Sequence, residues 1–275
     1  MLMKLMKHEF RATGRVMLPM FALMLAAAVG GNLAIYRLMD ARSNALNALG
    51  AILLAAFGVI MLAAAVAVVA LMIQRFYMNL LRDEVYLMMT LPVSVHVHIL
   101  SKLFVSLIWF VATAVCAVLA MFVLAFNLDV AQAMGEGLRA LMLELRVGDR
   151  ALMGDVMLFA GYGAEFVLLL LLGMACGCLQ LYAAMAAGHS FTHHKGLMSV
   201  LAFLLLMGLT HGAGYVLGWM LTLVRWEGVQ MWMDAQSMDM RVHLMMLSAM
   251  AATALGAVVY ELIASYFLRK HLNLN

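Results

Sequence analysis

Two carboxylates stand inside long apolar runs, Glu165 and Glu261. A charged side chain at mid-membrane costs about 2.5–3.5 kcal/mol on insertion scales. Such a residue is either a proton relay or cation contact in a transport path, or a protonated or hydrogen-bonded carboxyl at a helix interface. Both readings are open, and two carboxyls near opposite ends of different helices form no obvious relay. The histidines invite a metal reading: His96 and His98 in one polar insert, His189, His193 and His194 in another. His189 and His193 have the spacing of two ligands on one helix face. No acidic residue in the insert GHSFTHHKG completes a set, so a solvated basic loop is expected and no metal site. His211, inside an apolar run, is expected to be a hydrogen-bonded packing residue.

Sulfur chemistry is not indicated. Cys116, Cys176 and Cys178 all fall in apolar runs, and Cys-Gly-Cys alone is too slight for a metal site. Thioethers bind Cu(I), but the 29 methionines form no tight cluster on a polar background. They read as flexible apolar filler. The chain contains no G-x-x-x-x-G-K-[ST], no H-E-x-x-H and no G-x-S-x-G. It is therefore not expected to be an enzyme, and any ATP hydrolysis coupled to it needs another polypeptide.

The elements that must position these groups are membrane spans. The chain has 275 residues, 67% hydrophobic and 11% charged, where a soluble domain is about 25% charged. A single all-α membrane domain, residues 1–275, is expected, with spans at about 16–35, 49–73, 103–126, 156–187, 197–224 and 242–267. Each suffices for the roughly 20 residues a crossing needs. The fourth is long enough to tilt, bend near Gly173 or Gly177, or extend past the bilayer. Residues 1–15 place Lys4, Lys7, Arg11 and Arg15 on one helical stripe, the pattern of an interfacial "elbow" helix suited to anionic headgroups. The same stretch can be read as the n-region of a signal peptide, although it is long for one. Pro19 is expected in the first turn of the first span, where a missing N–H is harmless. Residues 127–155 keep an apolar stripe (Val130, Met134, Leu138, Leu141, Met142, Leu145) and read as one amphipathic helix on the outer face. Trp226 and Trp232 are expected interfacial anchors.

Residues 74–102, QRFYMNLLRDEVYLMMTLPVSVHVHILSK, form the most informative polar insert. Wound as a helix, Arg75, Asn79, Arg82, Asp83, Tyr86 and Thr90 share one face, with Phe76, Tyr77, Leu80, Leu87 and Met88 opposite. Glu84 falls among the apolar residues, so either the helix breaks there or Glu84 meets a cation. Leu91-Pro92 ends the helical run. The stretch resembles the cytoplasmic loop of bacterial ABC exporter permeases of the type-2 family. That loop runs RFYKNL, a Gly-Asp-Glu-Gly turn, YLM, TLPVS and SKL. Arg75-Phe76-Tyr77, Asn79-Leu80, Asp83-Glu84, Tyr86-Leu87-Met88, Thr90 to Ser94 and Ser101-Lys102-Leu103 match it, while Arg82 and Val85 replace the turn glycines.

The resemblance implies a permease subunit of an ATP-driven exporter, with a coupling helix between spans two and three. Two permease copies, identical or paralogous, would pair in the lipid bilayer of a bacterial plasma membrane. Separate ABC ATPase subunits would carry ATP and Mg. Arg75, Phe76, Tyr77, Asn79, Arg82, Asp83, Glu84 and Tyr86 would then form the ATPase-coupling surface, with Glu165 and Glu261 as possible transport-path residues. No nucleic-acid partner is expected. Six spans put both termini on one side. The inner segments would hold every lysine together with Arg11, Arg15, Arg75, Arg82 and Arg269, so both termini are expected to be cytoplasmic. The alternative is a non-transporting sensor or assembly partner that uses the same loop to bind a soluble protein. An ion-coupled transporter would rest on Glu165 and Glu261 alone.

Overall fold

Long runs of Ala, Val, Leu and Met with few prolines favour uninterrupted helices, because a helix satisfies every backbone polar group within its own segment. The computed structural model describes residues 2–39, 43–80, 94–147, 150–191, 193–223 and 227–270. Among them there are helices and short turns and no strands. The order is α1 (Leu2–Leu33) continued by a π-helical turn (Ala34–Leu38), α2 (Asn44–Leu80), α3 (Val95–Ala125), α4 (Leu128–Val147), α5 (Arg150–Gly188), α6 (Lys195–Leu223), α7 (Glu227–Asp234) and α8 (Met238–Lys270). Among the described residues six helices are long and apolar enough to cross a membrane: Met3–Leu38, Asn44–Met78, Val95–Ala125, Val156–Gly188, Lys195–Met220 and Met238–Lys270. The protein is a multi-pass, all-α membrane protein.

The helices are longer than hydropathy alone delimits. The basic N-terminal stretch is no separate elbow: it runs without interruption into the first span as one 32-residue helix. Pro19 consequently lies deep inside α1 rather than in its first turn. It sits on an exposed face. The fourth span runs unbroken through Gly173 and Gly177, so its surplus length extends the helix rather than interrupting it. His96, His98 and Lys102, expected in a loop, belong to the first turns of α3. The insert expected as one helix over 127–155 gives a shorter amphipathic helix, α4 over Leu128–Val147, while residues from Arg150 already belong to α5; Asn127 caps α4, its Oδ1 accepting from the Val130 N–H at 2.7 Å. A side chain accepting from an orphan N–H is what this position selects. Met134, Leu138 and Met142 stay exposed along α4.

The chain divides into two compact units, one of residues 3–72 and 104–158, the other of residues 73–103 and from Phe159 onward. In the first, α1, α2 and α3 pack in three layers. Met17, Val68, Val105 and Trp109 form one, Met24, Ala64 and Cys116 the next, and Ala28, Phe57 and Ala120 the third. Along each helix these positions recur at intervals of seven and four, the seam spacing of knobs-into-holes packing. Alanine in the second and third layers lets backbones approach closely. Polar bonds fix the register at both ends. Trp109 Nε1 donates to Thr13 Oγ1 at 2.7 Å while its ring stacks on Phe10 at 4.7 Å. At the other end, Asn32 Nδ2 reaches the carbonyls of Val123, Leu124 and Phe126, and Tyr36 Oη donates to that of Ala125. Val123, Leu124 and Ala125 are the last residues of α3 and Phe126 follows it, a place where carbonyls run short of helical partners.

Candidate functional site

The candidate coupling residues sit where α2 ends. α2 runs to Leu80, so Arg75, Phe76, Tyr77 and Asn79 all lie on its last turns. Phe76 is fully buried and Arg75 and Tyr77 are half-buried. The side chain of Asn79 lies outside the described residues, as do Arg82, Asp83, Glu84 and Tyr86. The break or cationic partner expected at Glu84 also falls there.

Phe76 stacks on Tyr182 of α5 with ring centroids 4.1 Å apart and planes at 7°. Tyr182 is itself fully buried, in a run of buried residues from Leu179 to Ala186 except for half-buried Gln180 and Leu181. One residue on, Tyr77 meets the edge of the His189 ring at 5.2 Å. His189 is only 5% exposed and its Nδ1 lies 2.9 Å from the Met185 carbonyl, an i−4 bond that closes the end of α5. His189 is therefore not the solvated loop residue its neighbours suggest, and it faces Tyr77 rather than pairing with His193. Burial holds its pKa below the ordinary 6.5, the bond to Met185 opposes this, and the charge of Lys195 adds to it. His193 and His194 are exposed. Among the described residues no group of three or more His, Cys, Asp or Glu is placed to hold a metal ion.

The two intramembrane carboxyls are each joined to a histidine. Nδ1 of His243, near the start of α8, lies 2.7 Å from Glu165 Oε1 on α5. Nδ1 of His96, in the first turn of α3, lies 2.5 Å from Glu261 Oε1 on α8. Around the first pair, Tyr162 of α5 places its ring 4.6 Å from that of His243 and its hydroxyl 3.2 Å from Asp239 Oδ1. Glu165 Oε2 is buried with no hydrogen-bond partner. The structure thus brings Glu165, His243, Tyr162 and Asp239 together, and separately Glu261 and His96. It does not join Glu165 to Glu261. Each contact gives the carboxyl a polar partner in place of an isolated group in hydrocarbon.

Sequence reasoning did not find Tyr182, His243 or Tyr162, nor the roles of His96 and His189. For the histidines a usable signal existed, because an acid inside a span calls for a donor from another span and few are available. For Tyr182 the signal was a lone hydroxyl-bearing aromatic in an alanine-rich run. A third polar group lies one turn into α3: Lys102 is 3% exposed and His98 is 1% exposed. A lysine thus lies within a candidate span, which the sequence did not indicate. His211, expected to be a packing residue, is exposed on α6. No family model, no curated protein and no solved structure matches this chain.

Proposed function

We propose that the chain is the permease subunit of an ATP-driven ABC exporter of a bacterial plasma membrane, with both termini cytoplasmic. The observation that carries the reading is the position of the matching residues. Phe76 and Tyr77, from the triplet that opens the motif, are the residues through which the end of α2 holds the end of α5. An amphipathic segment that follows such a joint is well placed to collect force from a soluble partner. Two ATPase subunits, carrying ATP and Mg, dock beneath two copies of the permease. Closure of the ATPase dimer displaces the segment that holds Arg82, Asp83 and Glu84. The Phe76–Tyr182 stack passes the displacement to α5, so that α2 and α5 move as a joined pair. Arg75, Asp83 and Glu84 hold the partner by charge, and none of these residues performs chemistry.

The test is purification through a C-terminal tag in mild detergent, with co-purifying proteins identified by mass. A stoichiometric P-loop ATPase is expected, lost on Asp83→Lys plus Glu84→Lys with membrane insertion intact. Retention of the ATPase by the double variant removes the proposed role of the segment. A clean preparation without any ATPase removes the exporter reading itself. A second reading, an ion-coupled transporter, is favoured by the two histidine–carboxyl pairs. It requires uptake or efflux driven by a pH gradient without ATP and abolished by Glu165→Gln.

A further inference from the structure

One face of α6 is bare. Leu197, Leu201, Leu204, Gly208, His211 and Tyr215 are all exposed, the leucines and the tyrosine by half or more. They recur at intervals of four, three, four, three and four, and fall within roughly 80° of arc on a helix of 3.6 residues per turn. This is the seam spacing of knobs-into-holes packing, the kind of spacing by which α1, α2 and α3 hold together in the first unit. The opposite side of α6 is the one engaged within the chain. Ala202, Phe203 and Leu206 are half-buried there, and the Thr210 hydroxyl is hydrogen-bonded to that of Tyr260 on α8.

The histidine decides what can cover this face. At 1.5 Å per residue, His211 stands about 5 Å from the middle of the Lys195–Met220 span. A polar ring exposed at that depth has no water beside it, and among the described residues it has no hydrogen-bond partner. Acyl chains offer it none. The occupant is therefore a helix that presents a hydrogen-bonding group at the same depth. A second copy inserted in the same sense meets this condition by identity. A two-fold axis along the membrane normal keeps every residue at its own depth, so position 211 faces position 211. A neutral imidazole carries one N–H donor and one N acceptor, so one ring donates to the other. Beside it, a Cβ on Gly208 or Gly212 would meet nothing within 4 Å, and glycine there lets two backbones approach closely enough for the rings to bond.

We propose that this face of α6 is the interface between two copies of the chain, closed at mid-membrane by a hydrogen bond from His211 to His211. The inference rests on the pairing of copies in the exporter reading and on nothing that concerns the ATPase. It assigns that pairing to one helix and to one self-complementary polar contact. An unrelated membrane protein would need both a matching seam and a polar group at the same depth, and the second copy has both.

The test uses the full chain in membranes, with Cys116, Cys176 and Cys178 replaced by alanine and one cysteine introduced at a time. Each chain then holds a single thiol, so any disulfide joins two chains. Oxidation by copper–phenanthroline is expected to give a covalent dimer from Leu204→Cys, Gly208→Cys and Tyr215→Cys. None is expected from Leu209→Cys or Leu217→Cys, which are exposed but lie off the seam. A second measurement keeps the native cysteines and counts copies per particle in liposomes by single-molecule photobleaching at falling protein density. His211→Leu is expected to weaken association about three- to tenfold, and His211→Asn, which keeps a donor and an acceptor, to weaken it less. Disulfides at all five positions reflect random collision and overturn the proposal. Disulfides at none overturn it too, since lipid or another chain then covers the face. Unchanged association of His211→Leu removes the histidine bond. A seam-specific dimer in a preparation without any ATPase upholds this interface and removes the exporter reading, whereas an ATPase-bound chain with no seam cross-link does the reverse.

Discussion

A carboxyl inside a membrane span is expensive alone and tolerable in company, and the energetics of Glu165 and Glu261 turn on that difference. Removing one member of a partly buried pair leaves the other without its donor or acceptor, a loss of up to about 1–3 kcal/mol where burial is complete. His243→Leu is therefore expected to lower the thermal stability of the detergent-solubilised protein clearly. Glu165→Gln, which keeps an acceptor for His243, is expected to cost less. Equal melting shifts for the two variants count against the pair as a structural unit. His189 gives a prediction in pH. Its folded-state pKa lies below 6.5, chiefly because it is buried, so the open state binds more protons as pH falls. Its contribution is complete above pH 6.5 and is lost on acidification through 6.5 toward the folded value. Hydrogen exchange at the end of α5 is expected to accelerate between pH 7.5 and 5.5, after correction for intrinsic rates, and His189→Gln to flatten that dependence.

Among the elements, the join between α2 and α5 and the turn from α5 to α6 carry the sharpest constraints. A Cβ on Gly188 would lie 2.3 Å from the backbone nitrogen and 2.4 Å from Cα of Ser199. Backbone cannot yield as a side-chain tip can, so Gly188→Ala must separate the end of α5 from the start of α6. Reduced stability and a loss of partner coupling are expected together, read as a lower melting temperature and weaker co-purification. Phe76→Ala removes a fully buried ring and leaves Tyr182 without its stacking partner, a change that costs about 3–5 kcal/mol in well-packed cores. Phe76→Tyr keeps the stack but buries a hydroxyl, and an intermediate cost is expected. If Phe76→Ala melts like the wild type, the end of α2 is not the joint proposed here. In the first unit the seven-and-four recurrence of Met17, Met24 and Ala28 against Phe57, Ala64 and Val68 was present in the sequence. It was hidden because nearly every position in these helices is apolar. In lipid the outward face is as hydrophobic as the inward one, so the periodicity that marks a core in water disappears.

For the whole molecule, one crossing for each of the six candidate spans among the described residues would put both termini on one side of the membrane. Cysteines introduced at Lys4 and Lys270 are expected to react with a membrane-impermeant thiol reagent from the same side, and one at Met134 of α4 from the other. Reaction of Lys4→Cys and Lys270→Cys from opposite sides would mean an odd number of crossings. The number of spans, their approximate places and the amphipathic character of residues 128–147 were legible from composition and hydropathy, because the bilayer imposes a length and a polarity that each segment meets alone. Hydropathy could not end the helices correctly. A helix of Lys, Arg and His needs no apolar lining once it leaves hydrocarbon, so α1 absorbed the expected elbow and α3 absorbed His96, His98 and Lys102. Nor could the chain order say which carboxyl meets which histidine. Glu165 and His243 are 78 residues apart, and Glu261 and His96 are 165 apart. Those pairings, like the stack of Phe76 on Tyr182, exist only after the helices have packed. They depend on the azimuth of each helix, and a one-residue turn of about 100° in any of them would carry the side chain out of reach.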